Sequence, residues 1–296
     1  MKTVGTFAEA RELAVGAVGL VPTMGFLHEG HLSLIEAARK ENDSVVVSLF
    51  VNPLQFNEEA DLVAYPRNID RDTALAQSAG ADVLFSPDTS TMYSTDPRST
   101  VVVKGVSDAM EGAHRPGHFE GVATVVAKLF AGIQPDRAYF GRKDAQQLAL
   151  VATMAADLSF PVSVRALPIV RESDGLALSS RNILLRDEDR SVALGLSSSL
   201  FAASAAFEAG ERSANALCGI VHDELDTNTA ADVEYVNVAR ASDAQLVDDV
   251  DVTSFLALAV RVGDVRLIDN VFLDPNTERA DRGIRLTKPT ILYGDD

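Results

Sequence analysis

The sequence predicts an α/β protein in which a doubly wound parallel sheet domain is followed by a smaller α+β C-terminal domain. Three observations predict it. Over about the first 170 residues, short apolar runs alternate with stretches of helical periodicity; the strand-helix-strand order that results is that of a parallel sheet covered on both faces; and after Asn182 the pattern changes to long Ala/Ser-rich helices followed by further strands. The clearest run is VVVSLFV at residues 45–51, and further strands are expected at 18–21, 82–85, 137–140 and 162–169. Helices fit 32–42, 70–79, 121–133 and 143–158. In the second part, helices are expected at 187–208, stopped by Gly210, and at 213–225, followed by strands at 233–238, 255–262 and 265–268. The division is placed between residues 1–172 and 173–296. The tail after Asp274 is charged and carries no clear pattern.

Composition narrows the function. A chain of 296 residues with 47% hydrophobic content can bury a large core. Its formal net charge of -17 argues against general nucleic-acid binding, which uses a basic face to displace counterions. No stretch reaches the roughly 18 uninterrupted apolar residues of a membrane helix, and the start lacks a secretory apolar core, so no membrane association and a cytoplasmic location are expected. The single cysteine, Cys218, excludes an intrachain disulfide. Cys218 falls in an apolar helical pattern, and Gly195-Leu196-Ser197-Ser198-Ser199 lacks the last glycine of a nucleophile elbow, so no covalent enzyme intermediate is expected.

The most informative segment is Met24-Gly25-Phe26-Leu27-His28-Glu29-Gly30-His31, where a strand gives way through a turn to an amphipathic helix. Such a junction aims backbone N–H groups and the positive end of a helix at whatever sits above the sheet, which suits an anion. His28 and His31 add donors, and Gly25 and Gly30 let a ligand approach the backbone. The metalloprotease zinc pattern needs two residues between Glu and the second His; one stands here. P-loop and dinucleotide glycine patterns are absent.

Four more segments supply polar groups at strand or loop ends. Asn52-Pro53-Leu54-Gln55-Phe56 offers uncharged partners for carboxylate or hydroxyl groups. Gly141-Arg142-Lys143-Asp144-Ala145-Gln146-Gln147 opens a helix, with Lys143 and Gln147 four apart on one expected face. The loop from Val170 through Leu178-Ser179-Ser180-Arg181-Asn182 brings two hydroxyls and a fixed cation, a good set for charge growing on departing pyrophosphate. His114 to Gly121 reads equally as a substrate-side loop or as structural punctuation. Asp70 and Asp72 stand at a helix start, where acids are favoured in any case, and the metal ligands stay unassigned.

His-x-Gly-His directly after the first strand of an α/β domain resembles the signature of the nucleotidylyltransferase and class I synthetase superfamily. With Asn52 to Phe56, Tyr65-Pro66-Arg67, Arg115-Pro116-Gly117-His118-Phe119, Lys143-Asp144 with Gln146-Gln147, and Ser179-Ser180-Arg181-Asn182, the chain closely resembles the pantothenate synthetase family. The resemblance spans about residues 18 to 183, with Arg266-Leu267-Ile268-Asp269-Asn270 near its end. It implies a Rossmann-like first domain, a lid-like second domain, a homodimer, Mg²⁺ with ATP as co-substrate, no tightly bound organic cofactor, and pantoate and β-alanine as the other substrates. It further implies that Met24 to His31, Gly141, Arg142, Lys143, Asp144, Val170, Leu178, Ser179, Ser180 and Arg181 hold ATP. Gln55 and Gln147 would bind pantoate, Gln55 would also face β-alanine, and His31, His28, Lys143 and Arg181 would be catalytic. The sequence departs from the family pattern at Arg142, where Glu is common, at Ala145, where an aromatic is common, and at Leu178, where Met is common. The competing readings are nucleotidyl transfer onto a phosphate ester and a non-enzymatic nucleotide sensor.

Overall fold

A computed structural model describes residues 1–57, 59–227 and 230–294, with side chains of 59–61 left aside. Two compact units divide the described chain. The first comprises residues 1–104, 112–141 and 150–167, the second residues 105–111, 142–149 and 168–296.

The first unit is built on β1 (Lys2–Val4), β2 (Val18–Thr23), β3 (Ser44–Leu49), β4 (Val83–Phe85), β5 (Arg137–Gly141) and β6 (Ser163–Leu167), all parallel, in the order β1-β4-β3-β2-β5-β6. Val45, Val46 and Val47 are fully buried, as the unbroken apolar run requires of a strand covered on both faces. Helix Glu29–Glu41 covers one side through Leu34, Ile35 and Ala38, which pack with Val21, Val45, Val47 and Leu84. Each large apolar side chain so removed from water contributes about 1.5 to 3 kcal/mol. The order reverses at the neighbouring pair β2 and β5, and the crevice outside the carboxyl ends at such a switch is where α/β sheets bind ligands.

Sequence reading missed the opening strand β1 and the helix Phe7–Leu13. Three residues carry too little periodicity to stand out, although Thr6 and Glu9 form a capping box, a signal that lies in the sequence. Helix Glu29–Glu41 begins three residues before the expected 32, which places Gly30 and His31 inside its first turn.

The second unit has an antiparallel sheet of β8 (Ala231–Arg240), β9 (Ser254–Val262), β10 (Val265–Asp274) and β11 (Arg279–Asp281), and a separate parallel pair formed by β7 (Val170–Arg171) and β12 (Ile284–Arg285). Helices Asp187–Glu208 and Ala214–Leu225 cover the sheet. The charged tail after Asp274 therefore contributes two strands. Helix Asp187–Glu208 is long and apolar enough to cross a membrane by length and composition alone, although serines interrupt its apolar residues. Its Val192, Leu196, Leu200, Ala203 and Phe207 belong to the core of this unit, so it reads as a core helix.

Candidate active site

In the first unit, Gly25 and Phe26 both take left-handed backbone, with φ of 91° and 52°. That conformation is costly for a residue with a Cβ, and something must hold Phe26 in it. Asp72 does so. Its Oδ2 accepts from the Phe26 N–H at 2.7 Å and its Oδ1 from the Leu27 N–H at 2.7 Å, while Arg71 donates to the Leu27 carbonyl at 2.8 Å and lies 5.0 Å over the Phe26 ring. Asp72 is 1% exposed; burial pushes its pKa up and the two amides pull it down. Sequence reading set this residue aside as a helix-start acid, because nothing local marks a carboxylate that reaches back to a turn in another segment.

His28 caps helix Glu29–Glu41, a post usually held by Ser, Thr, Asp or Asn. Its Nδ1 accepts from the Gly30 N–H at 3.2 Å, and the His31 Nδ1 accepts from the His28 N–H at 3.3 Å. Both Nδ1 atoms act as acceptors, so the neutral rings carry their protons on Nε2. The rings lie against each other with centroids 4.1 Å apart and planes tilted by 41°. One expectation changes here. The N–H groups of Gly25, Phe26, Leu27, His28, Gly30 and His31 all have partners within the unit, so an anion at this turn meets imidazole donors and the helix dipole more than open backbone amides.

Gln55 closes the turn Pro53–Gln55 and is 8% exposed. Asn52 donates to Gln55 Oε1 and to the Gly121 carbonyl, both at 3.1 Å, and accepts from the Tyr93 hydroxyl at 2.8 Å. Gln55 Nε2 lies 2.9 Å from the Met24 sulfur, which joins a residue expected to hold ATP to one expected to hold pantoate. The Gln55 carbonyl accepts from His118 Nδ1 at 2.8 Å and from Arg115 at 3.2 Å. The loop 114–121 is thus a buttress for Gln55. Gly121 is required there, since a Cβ would fall 2.3 Å from the Leu54 carbonyl oxygen.

β5 delivers Gly141 at the switch point of the first unit. In the second unit, residues 142–144 form a tight turn before helix Ala145–Asp157, so Lys143 precedes the helix and does not share an α-helical face with Gln147. Asn270 Nδ2 donates to the carbonyls of Arg142 at 3.0 Å and Lys143 at 2.7 Å, fixing the turn. Arg142, the departure beside the expected phosphates, pairs with Asp281 at 2.6 Å and lies 4.7 Å over Phe272. Lys143 and Gln147 are half-buried and Asp144 is exposed, while Gln146 is buried with its amide bonded to the Val106 and Ala109 carbonyls.

The loop after β7 is anchored by Arg171, 1% exposed, whose guanidinium makes a bidentate pair with Asp269 at 2.6 and 3.0 Å. Leu178 N–H donates to the Val170 carbonyl at 3.0 Å. Ser179 Oγ accepts from the Arg181 N–H at 3.2 Å and caps the turn Ser180–Leu184, and Asn182 donates to Glu172 at 2.8 Å. Val170, Leu178, Ser179, Ser180 and Arg181 are therefore one locally ordered group. Asp269, Asn270 and Glu172, which hold these turns, carried no sequence signal of that task.

A six-stranded parallel sheet with a His-x-Gly-His turn at its switch point defines an α/β enzyme of the nucleotide-handling type. The family model described as pantoate-beta-alanine ligase matches residues 1–272. The chain belongs to the pantoate–β-alanine ligase family. It is 48% identical to a pantothenate synthetase of Roseiflexus castenholzii over 92% of this chain and 98% of that one, and 48% identical to one of Geobacillus thermodenitrificans over 87% and 89%. The crystal structure of pantothenate synthetase from Thermus thermophilus superposes with a TM-score of 0.87 at 45% identity, over 91% of this chain and 98% of that chain. A pantoate-beta-alanine ligase from Francisella tularensis, complexed with beta-gamma ATP and beta-alanine, superposes with a TM-score of 0.76 at 32% identity, over 91% and 97%.

Proposed function

We propose that this chain condenses (R)-pantoate with β-alanine, using ATP and releasing AMP and pyrophosphate, and so supplies pantothenate for coenzyme A. The observation that carries this reading is the turn at residues 24–31, with two adjoining imidazoles at a helix start and Met24 touching Gln55. A carboxylate cannot expel oxide on attack by an amine, so it must first acquire a leaving group. A pantoate carboxylate oxygen attacks the α-phosphorus of ATP, the bond to pyrophosphate breaks, and pantoyl adenylate forms. The neutral β-alanine amine then attacks the acyl carbon, AMP departs with the electrons of the C–O bond, and the nitrogen loses a proton.

In this reading His31 and His28 donate from Nε2 to phosphate oxygens, and Lys143 and Arg181 offset the charge moving onto pyrophosphate. Met24, Gly25, Phe26, Leu27, Glu29 and Gly30 line the nucleotide, as do Gly141, Arg142, Asp144, Val170, Leu178, Ser179 and Ser180. Gln55 and Gln147 hold pantoate, Gln55 also facing β-alanine. Residues 173–296 serve as a lid domain.

Mg²⁺ enters as part of the co-substrate, on the phosphate oxygens it prefers. Among the described residues no group of three or more His, Cys, Asp or Glu is placed to form a protein cage, and Asp72 is already engaged by two amides. A homodimer working in the cytoplasm completes the proposal.

Release of AMP and pyrophosphate from Mg-ATP tests it, with pantoate and β-alanine supplied singly and together. AMP formed only with both acids supports the ligase. A dinucleotide-like product with a phosphate ester, or bound nucleotide that never turns over, refutes it.

A further inference from the structure

The family match ends at residue 272, yet the second unit continues through a built segment that reaches the loop proposed to hold the phosphates. β11 adds to β10, and the chain then turns at Gly283, whose φ is 86° and where a Cβ would fall 2.4 Å from the Ile169 carbonyl oxygen. β12 runs parallel to β7, with Ile284 N–H donating to the Ile169 carbonyl at 2.7 Å and Leu286 N–H to the Arg171 carbonyl at 2.9 Å. On its other side, residue 170 of β7 receives the Leu178 N–H. The backbone entering the 171–178 loop is thus tied to the tail, and the backbone leaving it is tied to that same strand β7.

The tail ends in a second grip. Thr290 caps the turn Ile291–Tyr293, which packs against the turn Ser180–Leu184, and Leu292 is 3% exposed. The Tyr293 hydroxyl donates to Glu172 Oε1 at 3.0 Å and accepts from Arg190 at 2.6 Å. The same Glu172 oxygen receives Asn182 from the far end of the loop at 2.8 Å. Burial and the Glu172 charge push the Tyr293 pKa up to about 12, so the hydroxyl remains a donor at neutral pH.

We propose that residues 279–293 form a strap that positions Ser179, Ser180 and Arg181 for the nucleotide phosphates, with Tyr293 as its positioning residue. This rests on the functional reading above and makes ATP affinity depend on a segment outside the family-matched region. Asp281, which pairs with Arg142, ties the same strap to the turn that carries Lys143.

Two variants test it: a chain stopped after Leu286, which keeps β12 and removes the last turn, and Tyr293→Phe. Steady-state kinetics and amide hydrogen exchange are read on both and on the wild type. The stopped chain should raise KM for ATP about tenfold, and Tyr293→Phe about threefold, through loss of the hydroxyl's bonds to Glu172 and Arg190. KM for pantoate and β-alanine should stay within about twofold, because the lost contacts fall on the 170–184 region and on Arg190, which itself pairs with Glu172 and Asp174. Exchange at residues 176–184 should quicken. An unchanged KM for ATP in Tyr293→Phe overturns the proposal, whether or not the stopped chain folds, and so does an equal rise in all three KM values. If the wild type makes no AMP, the functional reading fails separately, and unchanged exchange at 176–184 would then overturn the strap.

Discussion

The turn at residues 24–31 and the pair of turns at 142–144 and 170–182 carry the same proposed task by different construction. The first makes most of its own contacts: His28 and His31 cap one helix and each other within three residues, and one outside carboxylate, Asp72, sets the left-handed stretch. The second pair adds to its internal bonds, such as Leu178 N–H to the Val170 carbonyl and Asn182 to Glu172, a set of supports from far along the chain. The Arg142 and Lys143 carbonyls are held by Asn270 and the Arg171 side chain by Asp269, at separations such as 127 residues between Asn270 and Lys143, and the tail adds further contacts. A self-contained turn survives as a short motif. A turn supported from afar reveals its role only when the supporting residues are seen beside it.

His31→Ala should show the largest effect in this comparison. Pre-steady-state measurement should find adenylation slowed about a hundredfold or more while the unfolding midpoint changes little. Near wild-type adenylation would take His31 out of the chemistry. Asp72→Asn probes the long-range carboxylate that holds two amides of the same turn. It presents an amide N–H₂ to one of two N–H donors and should cost about 2 kcal/mol in urea unfolding, with adenylation slowed about tenfold. An unaltered midpoint would mean that the turn holds itself.

Asn270→Ala sharpens the contrast from the other side. It releases the Arg142 and Lys143 carbonyls and should raise KM for ATP about threefold, with pantoate KM unchanged. A larger effect than that of Asp72→Asn would reverse the ranking of the two regions.

The fold class was legible because apolar runs and helical stretches alternate with periods that a single strand or helix imposes on its own residues. The His-x-Gly-His turn was legible for the same reason, since its cap and its two rings lie within four positions of one another. Lys143 and Gln147, read as one helical face, were misplaced because a tight turn precedes the helix. Arg142 looked like excess charge beside phosphate until Asp281 was found against it.

The sequence by itself determined the parallel sheet class, its apolar strand runs such as Val45 to Val47, a helix after the His-x-Gly-His turn, and the residue types gathered at strand ends. Only the tertiary structure decided which amides remained available, that Asp72 holds Phe26 and Leu27, that Gln55 rests on Arg115 and His118, and that a pattern-poor tail supplies β11 and β12. The division follows from the range of the forces. Periodicity and capping act across three or four residues and leave a trace in order, whereas a buried carboxylate or an edge strand finds its partner through space, at a distance along the chain that no local pattern encodes.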